Sequence, residues 1–240
     1  MRLERVVLLA AQTVRSRAYI QALVAHALCP QQVIILGAEE PSAPDCPASL
    51  RSWQEVMLPD PAESLSTTCR RADIPVRRCV ARDVNAEEVS NVIRATAADV
   101  VIYSGHGGQI VSSSVLALGS QFLHLHSGWL PEYRGSTTLY YALLNGEPPG
   151  VTALILDRTI DTGPIVARCR YPRPPSGLDI DRVYDAAIRA DLLVRVMQDY
   201  VKSGRLTIIE HQRPDEGMVY YVIHPVLKHV AILSLDRGAS

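Results

Sequence analysis

The sequence contains no apolar run that approaches the roughly 20 residues a helix needs to cross a membrane. Its start, MRLERVVLLAAQTVRSRAY, has a charged lead and a short apolar run. It lacks the long apolar region and the small-residue cleavage site of a signal peptide, so a first core strand explains it better. No membrane partner is expected.

Cysteines are few and do not pair along the chain. A disulfide framework usually shows closely spaced cysteines in an oxidising compartment, whereas this chain has an odd number and no C-x-x-C motif. Free thiols in a reducing compartment are the simple interpretation, and the cytoplasm is the expected location. The five thiols belong to Cys29, Cys46, Cys69, Cys79 and Cys169.

The sequence also lacks the basic stripe that phosphate backbones attract. The formal net charge is -1, and lysine and arginine are scattered along the chain. The single local enrichment, four arginines between 70 and 78, is interrupted by Asp73 and is interpreted as a solvated face. Nucleic acid is therefore not an expected partner.

Two common signatures of cofactor and nucleophile sites are missing as well. The first strand leads into AAQTVRSRAY without a G-x-G-x-x-G, which excludes a dinucleotide site of that type. The segment from Gly105 to Gly108 could form an esterase oxyanion loop, but no G-x-S-x-G turn carries the nucleophile.

What is present is an alternation of strand and helix patterns. A length of 240 residues with 48% apolar residues suits one large α/β domain, or one domain with a small appendage. Asn85 is expected to cap a helix that has Glu87 and Glu88 in its first turn. Prolines predict a loop over 38–61. Strands are predicted at 6–11, 33–36, 76–80, 100–103 and 151–156, and helices at 15–27, 62–72, 85–97 and 179–201.

This alternation predicts a Rossmann-like, mostly parallel sheet flanked by helices. Such sheets bind ligands beyond the carboxyl ends of their strands, where the loops 104–109 and 124–137 are expected. Gly204 should end the last long helix. Residues 1–204 are predicted to form the α/β domain, and residues 205–240, with the strand-like LTIIE, an extension packed on it.

The chain is organised around residues 122–163, in which two histidines precede an acidic loop. His124 and His126 share one face of a strand end, and Asp161 follows the next apolar run. One interpretation is two satisfied polar groups on a strand. Another is a metal site, to which His106 could add a third imidazole.

The motifs HLHSGWLPEYRG, NGEPPGVTALILD and IDTGPIV resemble the folate-dependent formyltransferase family, which includes glycinamide ribonucleotide, methionyl-tRNA and nucleotide-sugar amine formyltransferases. The family pattern runs Asn-x-His, L-P five residues after the histidine, R-G, G-V-T and D-T-G. The order and spacing agree over about 99–171. The matching positions are His126, Pro131, Arg134-Gly135, Gly150-Val151-Thr152 and Asp161-Thr162-Gly163.

The resemblance implies a formyltransferase fold and transfer of a formyl group from 10-formyltetrahydrofolate to an amine. In the family the asparagine donates to the formyl oxygen, the histidine stabilises the developing oxyanion and assists proton transfer, and the aspartate orients the histidine. His126 and Asp161 match the last two positions. His124 stands where the family has asparagine, and a neutral imidazole keeps one N–H donor for that role.

Both substrates have candidate contact residues, those for the folate from the resemblance and those for the acceptor from their place after the catalytic loop. The implied folate loop, acting mostly through backbone groups, is Gly105, His106, Gly107, Gly108, Gln109 and Ile110. The candidate acceptor contacts are Arg134, Gly135, Ser136 and Thr137.

Only about 35 residues follow Gly204, unlike in the tRNA-binding relatives, so a small primary amine on an amino sugar or amino acid is expected. No metal takes part in this interpretation.

Two alternatives stay open at this point. One is a metal-dependent hydrolase that uses His124, His126 and Asp161 as ligands. The other is a folate-binding protein without catalysis. The polar and aromatic tail around Tyr220 and His224 could contact the acceptor, form a homodimer, or act as a lid without chemistry.

Overall fold

The computed structural model describes residues 2–38, 51–213 and 215–236, which build one seven-stranded sheet and two small ribbons. The strand order of the large sheet is β10-β9-β7-β6-β1-β2-β5. Its strands are β1 (Arg2–Ala11), β2 (Cys29–Leu36), β5 (Val76–Cys79), β6 (Val100–Ser104), β7 (Gln121–His126), β9 (Gly150–Ile155) and β10 (Ile165–Arg170). The ribbons pair β3 (Arg51–Trp53) with β4 (Val56–Leu58) and β8 (Tyr133–Gly135) with β11 (Met218–Tyr220).

Helices cover both faces of the large sheet. They are α1 (Val14–Ala25), α2 (Leu65–Arg71), α3 (Glu87–Thr96), α4 (Ser113–Leu116), α5 (Thr138–Leu144), α6 (Asp185–Ser203) and α7 (Pro225–Leu233). A π-helical turn, Ile180–Tyr184, leads into α6. Within the described ranges, no helix combines the length and the apolarity that crossing a membrane requires.

The sheet is mostly parallel, as predicted. Strands β5, β2, β1, β6 and β7 run parallel to one another, whereas β9 is antiparallel to both of its neighbours, β7 and the edge strand β10. Successive side chains of β1 enter opposite layers: Leu8 packs with α1 and α6, and Leu9 packs with α3. Burial on both faces explains why the strands read as continuous apolar runs rather than alternating ones.

Of the start of α1 and the end of α6, only the Gly204 end of α6 is predicted from the sequence. Thr13 caps α1 by accepting from the Ser16 N–H at 3.2 Å. Gly204 ends α6 in a left-handed conformation, and its N–H donates to the Tyr200 carbonyl at 2.7 Å.

The predicted cap of α3 is wrong, because Ala86 holds that position and the Asn85 side chain is used elsewhere. The Asn85 amide donates to the Ile110 carbonyl at 2.9 Å and accepts from the Ser112 N–H at 2.8 Å. Two hydrogen bonds to a neighbouring loop outweigh a single one to the helix terminus.

The loop predicted over 38–61 is wrong in its second half. Residues 51–58 form a hairpin whose two turn residues, Gln54 and Glu55, both have positive φ, at 45° and 69°. This geometry is usual for two-residue hairpins, but asparagine and glycine normally signal it. Residues 39–50 lie outside the described chain.

The tail packs back against the large sheet and its helices, and its segment LTIIE does not form a full strand. Within that segment only Glu210 bridges the sheet, opposite Ile165 on β10. The β strand in the tail is β11, which pairs in parallel with β8. Leu206, Ile223 and Ala231 are buried in the same core as α1 and α6.

Candidate active site

Strand β7 delivers two imidazoles to the carboxyl edge of the sheet. His124 and His126 are two residues apart and therefore lie on the same face. His126 is buried, with 5% of its surface exposed, and His124 is partly buried. Neighbouring β6 ends beside them, where the Tyr103 ring centroid lies 6.0 Å from that of His124.

The loop after His126 is held close to the ring. A Cβ added to Gly128 would lie 2.5 Å from His126 Nε2 and 2.6 Å from the Tyr133 carbonyl oxygen, so only glycine fits. Thr152 donates to the Gly128 carbonyl at 2.7 Å and accepts from the Leu130 N–H at 3.1 Å. The threonine of the G-V-T motif thus anchors this loop to β9.

His126 has a contact at each ring nitrogen. Nε2 lies 2.7 Å from the Tyr133 carbonyl oxygen, which can only accept, so Nε2 carries the hydrogen. Nδ1 lies 3.4 Å from Oδ2 of Asp161, beyond the roughly 2.7–3.2 Å of an N–H···O hydrogen bond. The structure therefore brings the predicted histidine and aspartate close to each other, but His126 Nδ1 and Asp161 Oδ2 are too far apart for a hydrogen bond.

The Asp161 loop is tightly shaped. Asp161 is 7% exposed and has a φ of 56°, a left-handed conformation that aspartate tolerates better than most residues. Its Oδ2 accepts from the Gly135 N–H at 2.9 Å. Gly135 has a φ of 96°, and a Cβ there would collide with the Tyr220 carbonyl oxygen. The carboxylate thus ties the loop to strand β8.

Gln212 in the tail joins the same two segments, although nothing in the sequence marks it. Its Nε2 donates to the carbonyls of Asp161 and Gly163 at 3.0 and 2.8 Å. Its Oε1 accepts from Arg134 Nη2 at 3.3 Å.

The environment of His124 disfavours its protonated form. Burial lowers the pKa of His124 well below 6.5, and the positive charges of Arg15 and Arg189 lower it further, as does His126. A hydrogen bond with the Tyr103 backbone acts in the opposite direction and raises the pKa of His124. A neutral imidazole retains one N–H donor, which is what the predicted donor role requires.

The predicted folate loop follows β6, the strand that pairs with the histidine-bearing β7. Arg15 donates to the Gly105 carbonyl, and Gln109 Nε2 donates to the Arg82 carbonyl at 2.9 Å. Gly107 and Gly108 are exposed, and a Cβ on either would meet nothing within 4 Å. The Ile110 side chain is 60% exposed.

Several buried polar atoms near this loop have no hydrogen-bond partner within the described chain. Such orphan atoms are costly unless a ligand or water satisfies them. Burial also raises the pKa of the Tyr103 hydroxyl to about 12, which keeps that group a neutral donor. The ends of β6 and β7 and the loop that follows β6 therefore carry polar atoms that a polar ligand could satisfy. The orphan atoms are Tyr103 OH, His106 Nε2, Gln109 Oε1, His124 Nδ1 and Ser127 Oγ.

The predicted acceptor contacts divide into two kinds. Arg134 is 4% exposed, and its Nη2 donates to the Arg213 carbonyl at 2.8 Å, so the guanidinium supports the tail. Gly135 is partly buried, and Ser136 and Thr137 are exposed. Thr137 Oγ1 accepts from the Ile223 N–H at 2.9 Å. A substrate contact for any of the four stays a prediction.

A groove of about 690 Å³ opens beside this segment, a volume within the range of small-molecule sites. Tyr133 and Tyr220 stack in it with ring centroids 5.2 Å apart. Its polar lining includes two carboxylates, one guanidinium and one amide, from Glu132, Glu147, Arg170 and Asn145.

Comparisons with known proteins agree with the motifs. Residues 56–190 match the family model described as formyl transferase. The chain is 32% identical over 176 residues to the methionyl-tRNA formyltransferase of Trichlorobacter lovleyi, covering 72% of this chain and 52% of that protein. The chain thus spans about half the length of this relative.

Solved structures with little sequence identity share the fold. Phosphoribosylglycinamide formyltransferase of Anaplasma phagocytophilum superposes with a TM-score of 0.60 at 15% identity, covering 92% of this chain and 98% of that one. The N-formyltransferase of Helicobacter canadensis, in complex with folinic acid and dTDP-3-aminofucose, gives 0.58 at 15% identity, covering 95% and 80%.

Proposed function

Because the chain belongs to the formyltransferase family, we propose that it transfers the formyl group of 10-formyltetrahydrofolate to a primary amine of a small molecule. The observation that carries this proposal is the gathering of His124, His126 and Asp161 at the carboxyl edge of the sheet. One ligand atom from each lies within 4.8 Å of the others.

Each residue has a role that its surroundings support. Negative charge develops on the formyl oxygen as the amine attacks, and preorganised donors stabilise it. The neutral His124 N–H supplies one donor. The His126–Asp161 pair receives the proton that the attacking nitrogen loses, with the Tyr133 carbonyl fixing the ring. A new C–N bond forms, and the bond to the folate nitrogen breaks as the pair passes the proton on to that nitrogen.

The co-substrate supplies the formyl carbon, and the loop from Gly105 to Ile110 is the proposed contact for it. The orphan polar atoms of Tyr103, His106 and Gln109 support that assignment. A small amine as acceptor is supported by the groove next to Tyr133, whose volume suits a small molecule and whose lining includes the Glu132 carboxylate. The Glu147 carboxylate in the same lining pairs with Arg170 at 3.6 Å. The H. canadensis N-formyltransferase, a neighbour by fold, was solved in complex with dTDP-3-aminofucose, an amino-sugar nucleotide, and this supports the same acceptor class.

We place the reaction in the cytoplasm, since the described cysteines are free thiols, and we expect no nucleic-acid partner at a net charge of -1. The homodimer stays a prediction.

The test follows a labelled formyl group. Purified protein is given 10-formyltetrahydrofolate carrying an isotope in the formyl carbon, together with amino-sugar nucleotides, glycinamide ribonucleotide, amino acids or methionyl-tRNA. Mass spectrometry should find the label on a small amine. Label on methionyl-tRNA alone would overturn the acceptor class, and folate binding without transfer to any acceptor would leave a binding protein.

Three variants check the assignment of roles. His126→Ala and Asp161→Asn should each abolish transfer while the protein stays folded by circular dichroism. His124→Asn should retain or raise activity, because the amide restores a donor of the family type. Complete loss in folded His124→Asn would show that the imidazole has a role of its own.

A further inference from the structure

The contacts of His126 leave a lone pair aimed at a carboxylate. The hydrogen on Nε2 is committed to the Tyr133 carbonyl, so Nδ1 of the neutral ring is an acceptor. It faces Oδ2 of Asp161, another acceptor, which already receives the Gly135 N–H. Two facing acceptors repel each other unless something positive lies between them. A backbone carbonyl on the far ring nitrogen is also the usual partner of a metal-bound histidine.

The spacing of these atoms has a simple geometric reading. Nδ1 and Oδ2 are 3.4 Å apart, longer than a hydrogen bond. Nitrogen and oxygen ligands about 2.0–2.2 Å from one tetrahedral ion lie about 3.4 Å from each other. The observed separation therefore fits two ligands of a shared ion.

His124 completes a set of three ligands. One of its ring nitrogens belongs to the group whose ligand atoms all lie within 4.8 Å of one another, and its Nδ1 is buried without a hydrogen-bond partner in the described chain. Asparagine at this position, as in the family pattern, would remove the second imidazole. The departure from the pattern is therefore the residue that creates the ligand set.

We propose that His124, His126 and Asp161 bind one divalent first-row transition metal ion of the zinc type. Two imidazoles and one carboxylate suit such ions, whereas magnesium and calcium prefer oxygen ligands alone. Three protein ligands leave a coordination position open to solvent or substrate. This inference goes beyond formyl transfer and rests only on the geometry of the three side chains.

Metal binding and proton transfer exclude each other at this site. An ion takes the lone pair of His126 Nδ1 and the Asp161 carboxylate, and both are what the transfer reaction needs. The metal-bound protein should therefore be inactive in formyl transfer, and removal of the ion should restore it. His124 then makes the site sensitive to available metal, whereas asparagine would not.

The experiment measures metal binding without any folate. Metal-free full-length protein is titrated with Zn²⁺ against a chromophoric chelator, and Co²⁺ is added separately to record its visible absorption. We expect one ion per chain and an intense tetrahedral-type Co²⁺ spectrum. His124→Asn should weaken Zn²⁺ binding by about 100-fold or more, at least the upper cost of losing a second-shell partner. His229→Asn, an exposed histidine on α7, should leave binding unchanged.

Several results would overturn the proposal. They are no stoichiometric binding by folded protein, or equal affinity in wild type and His124→Asn. If His124→Asn does not fold, X-ray absorption of the wild-type Zn²⁺ complex must still show two imidazoles in the first shell, and their absence refutes the site. Because the titration contains no folate, metal binding without formyl transfer would reject the proposed function alone. Transfer without metal binding would reject only this inference.

Discussion

Replacing Gln212 by alanine should destabilise the protein and slow formyl transfer, because this one amide joins the Asp161 loop to Arg134. Its Nε2 donates to the carbonyls of Asp161 and Gly163 at 3.0 and 2.8 Å. Its Oε1 accepts from Arg134 at 3.3 Å. Alanine removes all three bonds, and the left-handed backbone of Asp161 then loses a restraint.

The size of the effect follows from the number of bonds. Each bond to a backbone carbonyl contributes about 1 kcal/mol, and the longer bond to the guanidinium contributes about 1 kcal/mol more. The expected loss is about 3 kcal/mol of the free energy of unfolding. For a chain of 240 residues, a loss of about 2–4 °C per kcal/mol lowers Tm by about 6–12 °C.

Calorimetry on the variant and a matched control decides the matter. Gln31 is also a partly buried glutamine, but its Nε2 makes a single bond, to the Thr96 carbonyl at 3.2 Å, on the far side of the sheet. Gln31→Ala removes this bond but also a buried Oε1 that has no partner in the described chain, so it should cost at most about 1 kcal/mol, or about 2–4 °C. If Gln212→Ala lowers Tm no more than the control, the tail does not hold the loop.

Three further predictions concern the site and the core. Gly128→Ala should abolish transfer and lower Tm, since the added carbon would lie 2.5 Å from His126 Nε2, whereas Gly107→Ala, with open space around it, should leave Tm unchanged. Burial holds the pKa of His124 well below 6.5. The unfolded chain therefore binds a proton at His124 more readily than the folded chain does. The free energy of unfolding should fall as pH drops below about 6.5. Tm measured against pH should decline less steeply in His124→Asn, and equal slopes would contradict this reasoning. Burial raises the pKa of the Cys69 thiol to about 12, so peptide mapping after alkylation near neutral pH should find Cys69 unmodified until denaturant is added.

Elements defined by repeated local patterns could be predicted from the sequence. The buried strands, the long helix before Gly204 and the pairing of His126 with Asp161 follow from apolar runs and motif spacing, and the sheet and helix predictions are confirmed. These features depend on neighbours along the chain or on one sheet edge.

Features that depend on distant partners could not be predicted. Asparagine is a residue type that often caps helices, but the Asn85 side chain instead bonds to the backbone of a loop, 25 residues away at Ile110. Gln212 contacts Asp161 only because the tail returns to the sheet. The course of the tail cannot be predicted from the residues next to Gln212. The hairpin turn at Gln54 and Glu55 was missed because neither residue type favours positive φ.

The parallel pairing of β8 with β11 also determines when the site can form. Strand β8 (residues 133–135) has no partner strand until residues 218–220 have been made. Gly135 of β8 also donates its N–H to the Asp161 carboxylate. Pairs far apart in sequence close late, because the intervening chain must be ordered first. During synthesis the large sheet can therefore form before β8, whose Gly135 contacts Asp161, has its partner strand. A ribosome-stalled chain that ends before residue 218 lacks β11 and the buried Ile223 and Ala231, so it should be less stable than the full chain and catalytically inactive.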